Sequence, residues 1–403
     1  MSQFKIALIN CYFGKLPWYF PFFLKSCVYN YNIKFYLFTD NPPDISPPDN
    51  LEIIYTTLFE VESWAKSKID INVNISYPYK LCDFKPAYGI IFENYLNGFD
   101  FWGHGDLDVV YGNTRLFLTD DILNRYDIIS LREEYLTGYF TLYKNSPEIN
   151  RLYEKSKDYK KVFSDPKHFC FDECNFLFSH LTSSNSIENV ESEIESMTHV
   201  VKKMSKMGHI NAYFDLHAID DTPGSIEWNC GQLSYKNKYE IMIYHFLKFK
   251  KQFILHVPSW VEIPDQFFIE PFYISKYSPI SFIGKIQKYF YQIKRNIKLF
   301  FAYRILILCS KEGKGTGQDL KGSYFFLYDN TISIIIQTSR NNVLISYSNN
   351  PFSKLLHYKD NVFLHVKNKT IISFIHDSEQ QQSVLRVTDY QGYQMDFIKQ
   401  IAM

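Results

Sequence analysis

Two aspartates, Asp106 and Asp108, stand two residues apart directly after an aromatic run, residues 99–102, that predicts a buried strand. In extended backbone this spacing directs both carboxylates to the same side. Carboxylates held side by side repel each other unless a cation lies between them, and Mg²⁺ or Mn²⁺ suits such oxygen ligands. The pair therefore predicts a divalent metal site able to hold a diphosphate. The alternative, which these two residues alone leave open, is a loop end with two solvated acids.

The elements that would position this pair belong to a long, folded chain. Its 403 residues are enough for two or three domains, and its hydrophobic content of 46% is typical of a globular protein. Basic and acidic residues number 43 each, so no overall charge favours a nucleic-acid partner.

The cysteine pattern and the apolar runs predict the cellular compartment of the protein. Seven scattered cysteines without a CxxC pair argue against a zinc site and fit a reducing compartment. Residues 1–10 predict a first strand and not a signal peptide, and there is no uncharged apolar run of spanning length. We therefore expect a cytoplasmic protein.

The first 55 residues alternate between strand and helix patterns. Strands are predicted at 4–9, 33–39 and 51–55, with a helix at 18–30 between the first two. This order is typical of a doubly wound α/β sheet. Ligands of such sheets bind beyond the carboxyl ends of the strands, where we expect Asn10 and Asp40.

Further elements follow on both sides of the aspartate pair. Apolar residues recur every three or four positions over 79–95, which predicts one helix with Asp83 and Lys85 near its start. Another helix is predicted to open at 171–175, with Asp172 and Glu173 in its first turn, where acids commonly face the helix dipole. The remaining predictions are a helix at 147–156, a polar loop leading into a helix over 182–206, and strands at 127–131, 135–143, 228–233 and 239–246.

Residues 273–305 carry seven basic residues and no acid. Apolar side chains recur at helical spacing through the same segment, which predicts a basic amphipathic helix. Two interpretations stay open: the helix lies on an anionic membrane surface, or it packs on its domain with a solvated basic face. The apolar positions are Ile283, Ile286, Phe290, Ile293, Ile297 and Phe300, and the basic ones are Lys276, Lys285, Lys288, Lys294, Arg295, Lys298 and Arg304.

The last 80 residues change to short β-like runs separated by Asn, Asp, Gly and Ser. They predict a small all-β domain, a sandwich or a half-barrel. The glycines of residues 313–317 lack phosphate-loop spacing, so this segment is interpreted as a linker.

An Asp-x-Asp after a strand of an α/β domain, followed far downstream by a histidine and lysines, resembles the GT-A glycosyltransferases. More narrowly, residues 79–89 and 101–113 resemble a group of bacterial surface-polysaccharide transferases, of capsule or O-antigen, many of them in families of unknown function. The resemblance covers residues 1–260. It implies a GT-A nucleotide-diphospho-sugar transferase domain with a Rossmann-like fold. The predicted domains are 1–265 for GT-A, 266–320 for the basic helix and linker, and 321–403 for the β-rich part.

The resemblance also implies roles for individual residues. Asp172 or Glu173 would be the base of an inverting enzyme or a donor-sugar contact, and inversion or retention stays open. The metal ligands would be Asp106, Asp108 and His245; the nucleotide and diphosphate contacts Asn10, Asp40, Asp83, Lys85, Asp106 and Lys248; and the donor-sugar pocket Gly138, Tyr139 and Phe140.

We therefore expect a glycosyltransferase dependent on Mn²⁺ or Mg²⁺. It would move a sugar from a nucleotide donor, with UDP-sugars favoured, to a glycan or lipid-linked glycan at the inner face of the plasma membrane. One alternative is a sugar-nucleotide nucleotidyltransferase, although residues 10–16 lack the Gly-rich basic loop of that chemistry. The other is a non-catalytic glycan-binding protein on a degenerate GT-A scaffold. For the β-rich part, acceptor binding and oligomerisation are both open.

Overall fold

The chain folds into two units. The first comprises Met1–Asp220, Ser225–Phe246 and Trp260–Gln266, and the second comprises Asp221–Gly224, Leu247–Ser259 and Phe267–Met403. The computed structural model describes residues 4–399 apart from internal segments, and in parts of the second unit, residues 299–309 included, it describes the backbone alone. The internal segments outside the description are 44, 183–185, 216, 221–224, 237, 253, 310–321, 327–328, 340–341, 348–352, 360–361, 366–369, 378–381 and 389–393.

The first unit is a mixture of strands and mostly short helices. Its strands are β1 (Ile6–Cys11), β2 (Ile33–Thr39), β3 (Leu51–Tyr55), β4 (Phe101–Gly105), β5 (Val109–Tyr111), β6 (Ile128–Ser130), β7 (Phe140–Lys144), β8 (Ala212–Phe214), β9 (Ala218–Ile219), β10 (Ile226–Asn229), β11 (Gln232–Tyr235), β12 (Tyr239–Ile241) and β13 (Ile243–His245). Its α-helices are α1 (Phe20–Val28), α2 (Leu58–Lys68), α3 (Tyr88–Ile91), α4 (Thr114–Phe117), α5 (Asp120–Arg125), α6 (Pro147–Asn150), α7 (Tyr159–Ser164), α8 (Phe178–Thr182) and α9 (Met197–Lys206).

A seven-stranded sheet of order β3-β2-β1-β4-β7-β6-β8 forms the centre of this unit. Strands β3, β2, β1 and β4 are parallel, whereas β7 is antiparallel to both of its neighbours. The central strands β1 and β4 are almost entirely apolar and buried, as expected for a parallel sheet covered on both faces. The predicted mixed α/β class is confirmed, as are the first three strands to within two residues.

The strand order changes direction between β1 and β4. From β1 the chain moves outward to β2 and β3, and it then returns to place β4 on the other side of β1. Such a reversal leaves a crevice at the carboxyl ends of the two strands, where ligands of open α/β sheets bind. Asn10 lies within the end of β1, and Asp106 directly follows β4.

The prediction of a single helix over residues 79–95 is wrong. The segment consists of a 3₁₀ helix at Pro78–Ala87, the short α3, and a second 3₁₀ helix at Glu93–Tyr95. Pro86 lies inside the first of these, where its ring and missing N–H prevent α-helical hydrogen bonding.

The helix predicted to open at residues 171–175 is also absent, because this segment is a run of turns. Cys170, Asn175 and Phe176 have φ of 52°, 53° and 62°, in the left-handed region that an α-helix excludes. Asp172 and Glu173 are therefore not dipole partners of a helix.

Three other predictions differ in extent. The strand predicted at 135–143 begins only at Phe140 and ends at Lys144, and the helix predicted at 147–156 divides into α6 and a 3₁₀ helix at Leu152–Lys155. The strand predicted at 228–233 is a hairpin, because Cys230 and Gly231 adopt positive φ and reverse the chain between β10 and β11.

The second unit contains a hairpin, a long helix and a closed sheet. Eight antiparallel strands, β16–β23, form a sheet that closes on itself because β16 pairs with β23, so the predicted sandwich or half-barrel becomes a closed structure. The predicted linker at 313–317 and the predicted boundary at 320/321 lie outside the described residues. The elements are β14 (Gln266–Glu270), β15 (Tyr273–Ser275), α10 (Phe282–Cys309), β16 (Gly322–Phe326), β17 (Asp329–Ser339), β18 (Asn342–Tyr347), β19 (Ser353–Lys359), β20 (Val362–His365), β21 (Thr370–Asp377), β22 (Gln382–Thr388) and β23 (Gln394–Lys399).

Within the part of the chain that the structure describes, no helix combines the length and the hydropathy needed to cross a bilayer.

Candidate metal centre

The loop between β4 and β5 carries the two aspartates. β4 belongs to the central sheet, whereas β5 pairs with β13 in a separate sheet of order β5-β13-β9. The antiparallel register of β5 and β13 places His245 opposite Val109, and the Phe246 amide donates a 2.8 Å hydrogen bond to the Asp108 carbonyl oxygen. Strand pairing thus brings His245 beside Asp108 from a distant part of the sequence.

Asp106, Asp108 and His245 form a cluster in which one candidate ligand atom from each lies within 4.8 Å of the others. His245 Nε2 is 3.1 Å from Asp108 Oδ2, and both side chains are buried. The Asp106 side chain is 37% exposed, so the cluster is accessible on that side. The predicted proximity of the three residues is confirmed, but residues 107–108 form a bend and not the extended backbone assumed for the pair.

The chemistry of these three side chains fits a divalent cation. Two carboxylates and one imidazole converge, a donor set that Mn²⁺ accepts readily and Mg²⁺ accepts through its oxygen ligands. His245 Nδ1 is buried and makes no hydrogen bond within the described residues. The other ring nitrogen, Nε2, is the one that faces the cluster, at 3.1 Å from Asp108 Oδ2.

Tyr139 fixes the orientation of the His245 ring. The two rings stack at a centroid distance of 4.2 Å with 30° between their planes, and Tyr139 is buried. Phe140, the next residue, begins β7 and is fully buried opposite Gly105. The predicted contact of Gly138, Tyr139 and Phe140 with a donor sugar stays a prediction, whereas the contact of Tyr139 with His245 is observed.

Lys85 lies against the metal cluster from the 3₁₀ helix. Its Nζ donates hydrogen bonds to Asp106 Oδ1 at 2.7 Å and to the Gly138 carbonyl oxygen at 2.9 Å, and it lies 3.8 Å from Asp172 Oδ2. Burial lowers the pKa of Lys85, but Asp106 and the other nearby groups outweigh it and raise the pKa well above its ordinary value. A permanent positive charge therefore adjoins the cluster.

Asp172 and Glu173 occupy the turn next to Lys85. Burial raises the pKa of Asp172 well above its usual range despite the nearby lysine, and burial also raises the pKa of Glu173. The Gly138 amide donates a 2.8 Å hydrogen bond to Glu173 Oε1. A Cβ at position 138 would lie 2.8 Å from Asp172 Oδ2, so a side chain there would displace the Asp172 carboxylate.

The Asp83 carboxylate is surrounded by protein groups and has a structural role. Its buried carboxylate pairs with Lys80 at 2.8 Å and accepts hydrogen bonds from the backbone amides of Phe169 and Phe171. These bonds tie the turn that carries Asp172 to the 3₁₀ helix. The predicted contact between Asp83 and a nucleotide conflicts with this burial, because its oxygen atoms already face protein donors.

Three other residues, Asn10, Asp40 and Lys248, were predicted to contact the nucleotide or its diphosphate. Asn10 is buried at the end of β1, and its Oδ1 has no hydrogen-bond partner among the described residues. Asp40 is exposed and accepts a 2.7 Å hydrogen bond from the Gly14 amide, so it shapes the loop after β1. Lys248 belongs to the second unit, and its predicted role stays a prediction.

Two contacts of the site were not predicted from the sequence. One is the ion pair of Lys85 with Asp106, and the other is the stacking of Tyr139 on His245. His104 is also involved, since its Nδ1 lies 3.0 Å from the same Gly138 oxygen that Lys85 contacts, and burial lowers its pKa well below the usual value. The spacing of His104, in β4, and Asp106, directly after it, was the available signal for the His104 contact.

The fold and the cluster define a mixed α/β protein with an Asp-Asp-His site suited to a metal ion. Residues 8–278 match the family model described as "Family of unknown function (DUF6625)", and the chain belongs to that family. No curated protein matches the sequence. A structure titled as galactosyltransferase LgtC in complex with donor and acceptor sugar analogs is 8% identical, with 54% of this chain and 76% of that chain covered at a TM-score of 0.28.

Proposed function

We propose that this protein is a metal-dependent glycosyltransferase of the GT-A type. It transfers a sugar from a nucleotide-diphosphate donor, with UDP-sugars favoured, to a glycan or lipid-linked glycan of a bacterial surface polysaccharide. The observation that carries the proposal is the convergence of Asp106, Asp108 and His245 where the order of the central sheet reverses. Open α/β sheets bind their ligands at such a place.

The negative charge that develops on the departing nucleoside diphosphate is the main demand of this reaction. A divalent cation bound there supplies Lewis-acid stabilisation of that charge. Asp106, Asp108 and His245 would hold the cation, with Tyr139 keeping the imidazole ring in place. Lys85 holds Asp106 by their 2.7 Å contact and contributes a fixed positive charge.

Removal of a proton from the acceptor hydroxyl is the second demand of an inverting reaction. Asp172 and Glu173 are the candidate bases, because the buried Asp172 lies 3.8 Å from Lys85 and the partly buried Glu173 accepts a hydrogen bond from the Gly138 amide. Burial raises the pKa of both groups, and a base works best when its pKa approaches the working pH. A retaining reaction would need no base at this position.

Calorimetric titration of UDP into the full chain, with and without Mn²⁺, tests the proposal. We expect nucleotide binding that requires the metal, followed by metal-dependent hydrolysis of one donor in a panel of nucleotide sugars. Saturable binding of a glycan without metal-linked nucleotide binding would instead favour the non-catalytic alternative. Release of pyrophosphate from a nucleoside triphosphate and a sugar phosphate would favour the nucleotidyltransferase.

A further inference from the structure

Over the residues of helix α10 whose side chains the structure describes, one face is packed and an apolar one is exposed. The packed face consists of Gly284, Gln287, Tyr291 and Arg295, which recur at intervals of three and four. Tyr291 stacks on His256 at 4.6 Å, and the Arg295 guanidinium lies 5.0 Å from the centre of the Phe272 ring. These contacts hold the helix on its own unit without using the apolar stripe predicted from the sequence.

That predicted stripe is exposed. At about 100° per residue it is centred roughly 120° around the helix from the packed face. Its described side chains are between 41% and 57% exposed, over a length of about 21 Å along the helix axis. A continuous apolar surface of this kind is unusual on a protein that has no partner for it. The exposed members of the predicted stripe are Ile283, Ile286, Phe290, Ile293 and Ile297, and the exposed Phe282 and Tyr289 adjoin them, whereas the Phe300 side chain lies outside the description.

Lysines border the exposed stripe on both sides. Lys285 lies along one edge, with Lys294 and Lys298 along the other, and the described residues place no carboxylate within ion-pair distance of these three. Lys288 differs, because it lies 3.7 Å from the buried Glu270. An apolar stripe with a basic border matches the interface of an anionic bilayer, where the apolar groups enter the acyl region and the lysines reach the headgroups.

The same border disfavours a second copy of this chain as the occupant. Pairing two stripes face to face would bring their lysines together and add repulsion between like charges. We therefore propose that α10 binds the surface of an anionic membrane through this stripe and its lysines. This inference is independent of the proposed reaction, because it uses no residue of the metal centre.

Flotation of the full chain with lipid vesicles provides the test. We expect binding to phosphatidylcholine vesicles that contain phosphatidylserine, little binding to phosphatidylcholine alone, and weaker binding as the salt concentration rises. The triple variant Lys285→Gln, Lys294→Gln, Lys298→Gln should bind about 100-fold more weakly, since each basic residue near the surface contributes about fivefold. The variant Ile286→Ser, Phe290→Ser should lose at least about tenfold through its smaller apolar area.

The matched control removes three exposed lysines from the first unit, with Lys155→Gln, Lys157→Gln and Lys160→Gln, and should bind as the wild type does. Circular dichroism checks that each variant keeps its helix, which is expected because the packed face is unchanged. Equal binding to both vesicle types, or none to either, would overturn the proposal. So would a wild-type dimer, in the absence of lipid, that the Ile286→Ser, Phe290→Ser variant converts to a monomer.

Discussion

Asp108 is the aspartate of the cluster that is both buried and in contact with His245. Asp108→Asn removes one negative charge and one strong metal ligand while keeping the shape of the side chain. We expect donor hydrolysis in the presence of Mn²⁺ to fall at least about 100-fold, because Lewis-acid stabilisation contributes several kcal/mol. Steady-state kinetics with the donor found in the nucleotide-sugar panel would measure this loss.

Asp49→Asn is the control for that substitution, since Asp49 is exposed in a loop of the same unit. Asp49→Asn should keep wild-type activity. The melting temperatures of Asp49→Asn and Asp108→Asn should be equal. If Asp108→Asn kept normal rates, or if the wild type worked equally well in EDTA, the metal assignment would be wrong.

Substitutions of Tyr139 can distinguish a role in positioning a metal ligand from a role in binding the donor sugar. Its hydroxyl makes no hydrogen bond within the described residues, whereas its ring stacks on His245. Tyr139→Phe keeps the stacking and should leave Mn²⁺ affinity unchanged. Tyr139→Ala frees the imidazole ring and should weaken Mn²⁺ binding about 10-fold or more, as loss of a supporting contact around a metal ligand commonly does.

Electron paramagnetic resonance of free Mn²⁺ during a titration measures this affinity directly, without any substrate. A purely structural role would lower the stability of Tyr139→Ala while its Mn²⁺ affinity stayed at the wild-type level. A sugar-binding role would instead raise the KM for the donor at unchanged Mn²⁺ affinity.

At the scale of elements, the buried Asp83 ties the 3₁₀ helix to the turn at residues 168–171. Burial raises the pKa of Asp83, but His168 and Lys80 outweigh it and hold the pKa well below the ordinary value. An ionised carboxylate therefore stabilises the fold above about pH 4, and this contribution is lost as the pH falls toward the folded-state pKa. Asp83→Asn should cost about 3 to 5 kcal/mol near neutral pH, because it leaves Lys80 buried without its partner.

Urea unfolding of the variant and the wild type at a series of pH values would test this prediction. The difference in unfolding free energy should be largest at neutral pH and should narrow below about pH 4, where Asp83 of the unfolded chain begins to bind a proton while the folded chain keeps it ionised. Asp70→Asn, at an exposed position, should show little difference at any pH. A difference that stayed constant down to the lowest pH would show that the charge of Asp83 is not what stabilises the turn.

Regular elements of this fold were predictable because their signals are local. The apolar runs of β1 to β3 and the small and acidic residues after β4 predict the central sheet and the position of the aspartates. The irregular elements were not predictable in this way. One proline, Pro86, prevents an α-helix that the apolar spacing favours, and three residues with positive φ replace a helix by the turn that carries Asp172.

The sequence predicted which residues form the site, but it did not predict the contacts between them. His245 meets Asp108 through the register of β5 and β13, which depends on pairing between distant strands. The contacts of Lys85 and Tyr139 depend in turn on the 3₁₀ helix and on the start of β7, neither of which the periodicity defines. A sequence pattern can therefore nominate ligands, whereas the residues that orient them follow from tertiary structure.

At the scale of the whole molecule, the three candidate metal ligands all belong to the first unit. A ligand that binds only the folded state of that unit stabilises it by about 2.7 kcal/mol at a concentration 100 times its dissociation constant. For a unit of this size, such a gain raises the melting temperature by roughly 5 to 10 °C. Differential scanning calorimetry with Mn²⁺ and UDP should therefore move one unfolding transition upward and leave a second, that of the closed sheet, in place.

The Asp108→Asn chain provides the control for this experiment, since its transitions should not move when Mn²⁺ and UDP are added. A single transition that moves to higher temperature would show that the two units unfold together. The prediction that the ligand stabilises only the first unit would then be wrong. Two transitions that both stay fixed in the wild type would contradict metal-linked nucleotide binding in the first unit. Because the measurement requires neither a donor sugar nor an acceptor, it tests the metal centre before the substrates are known.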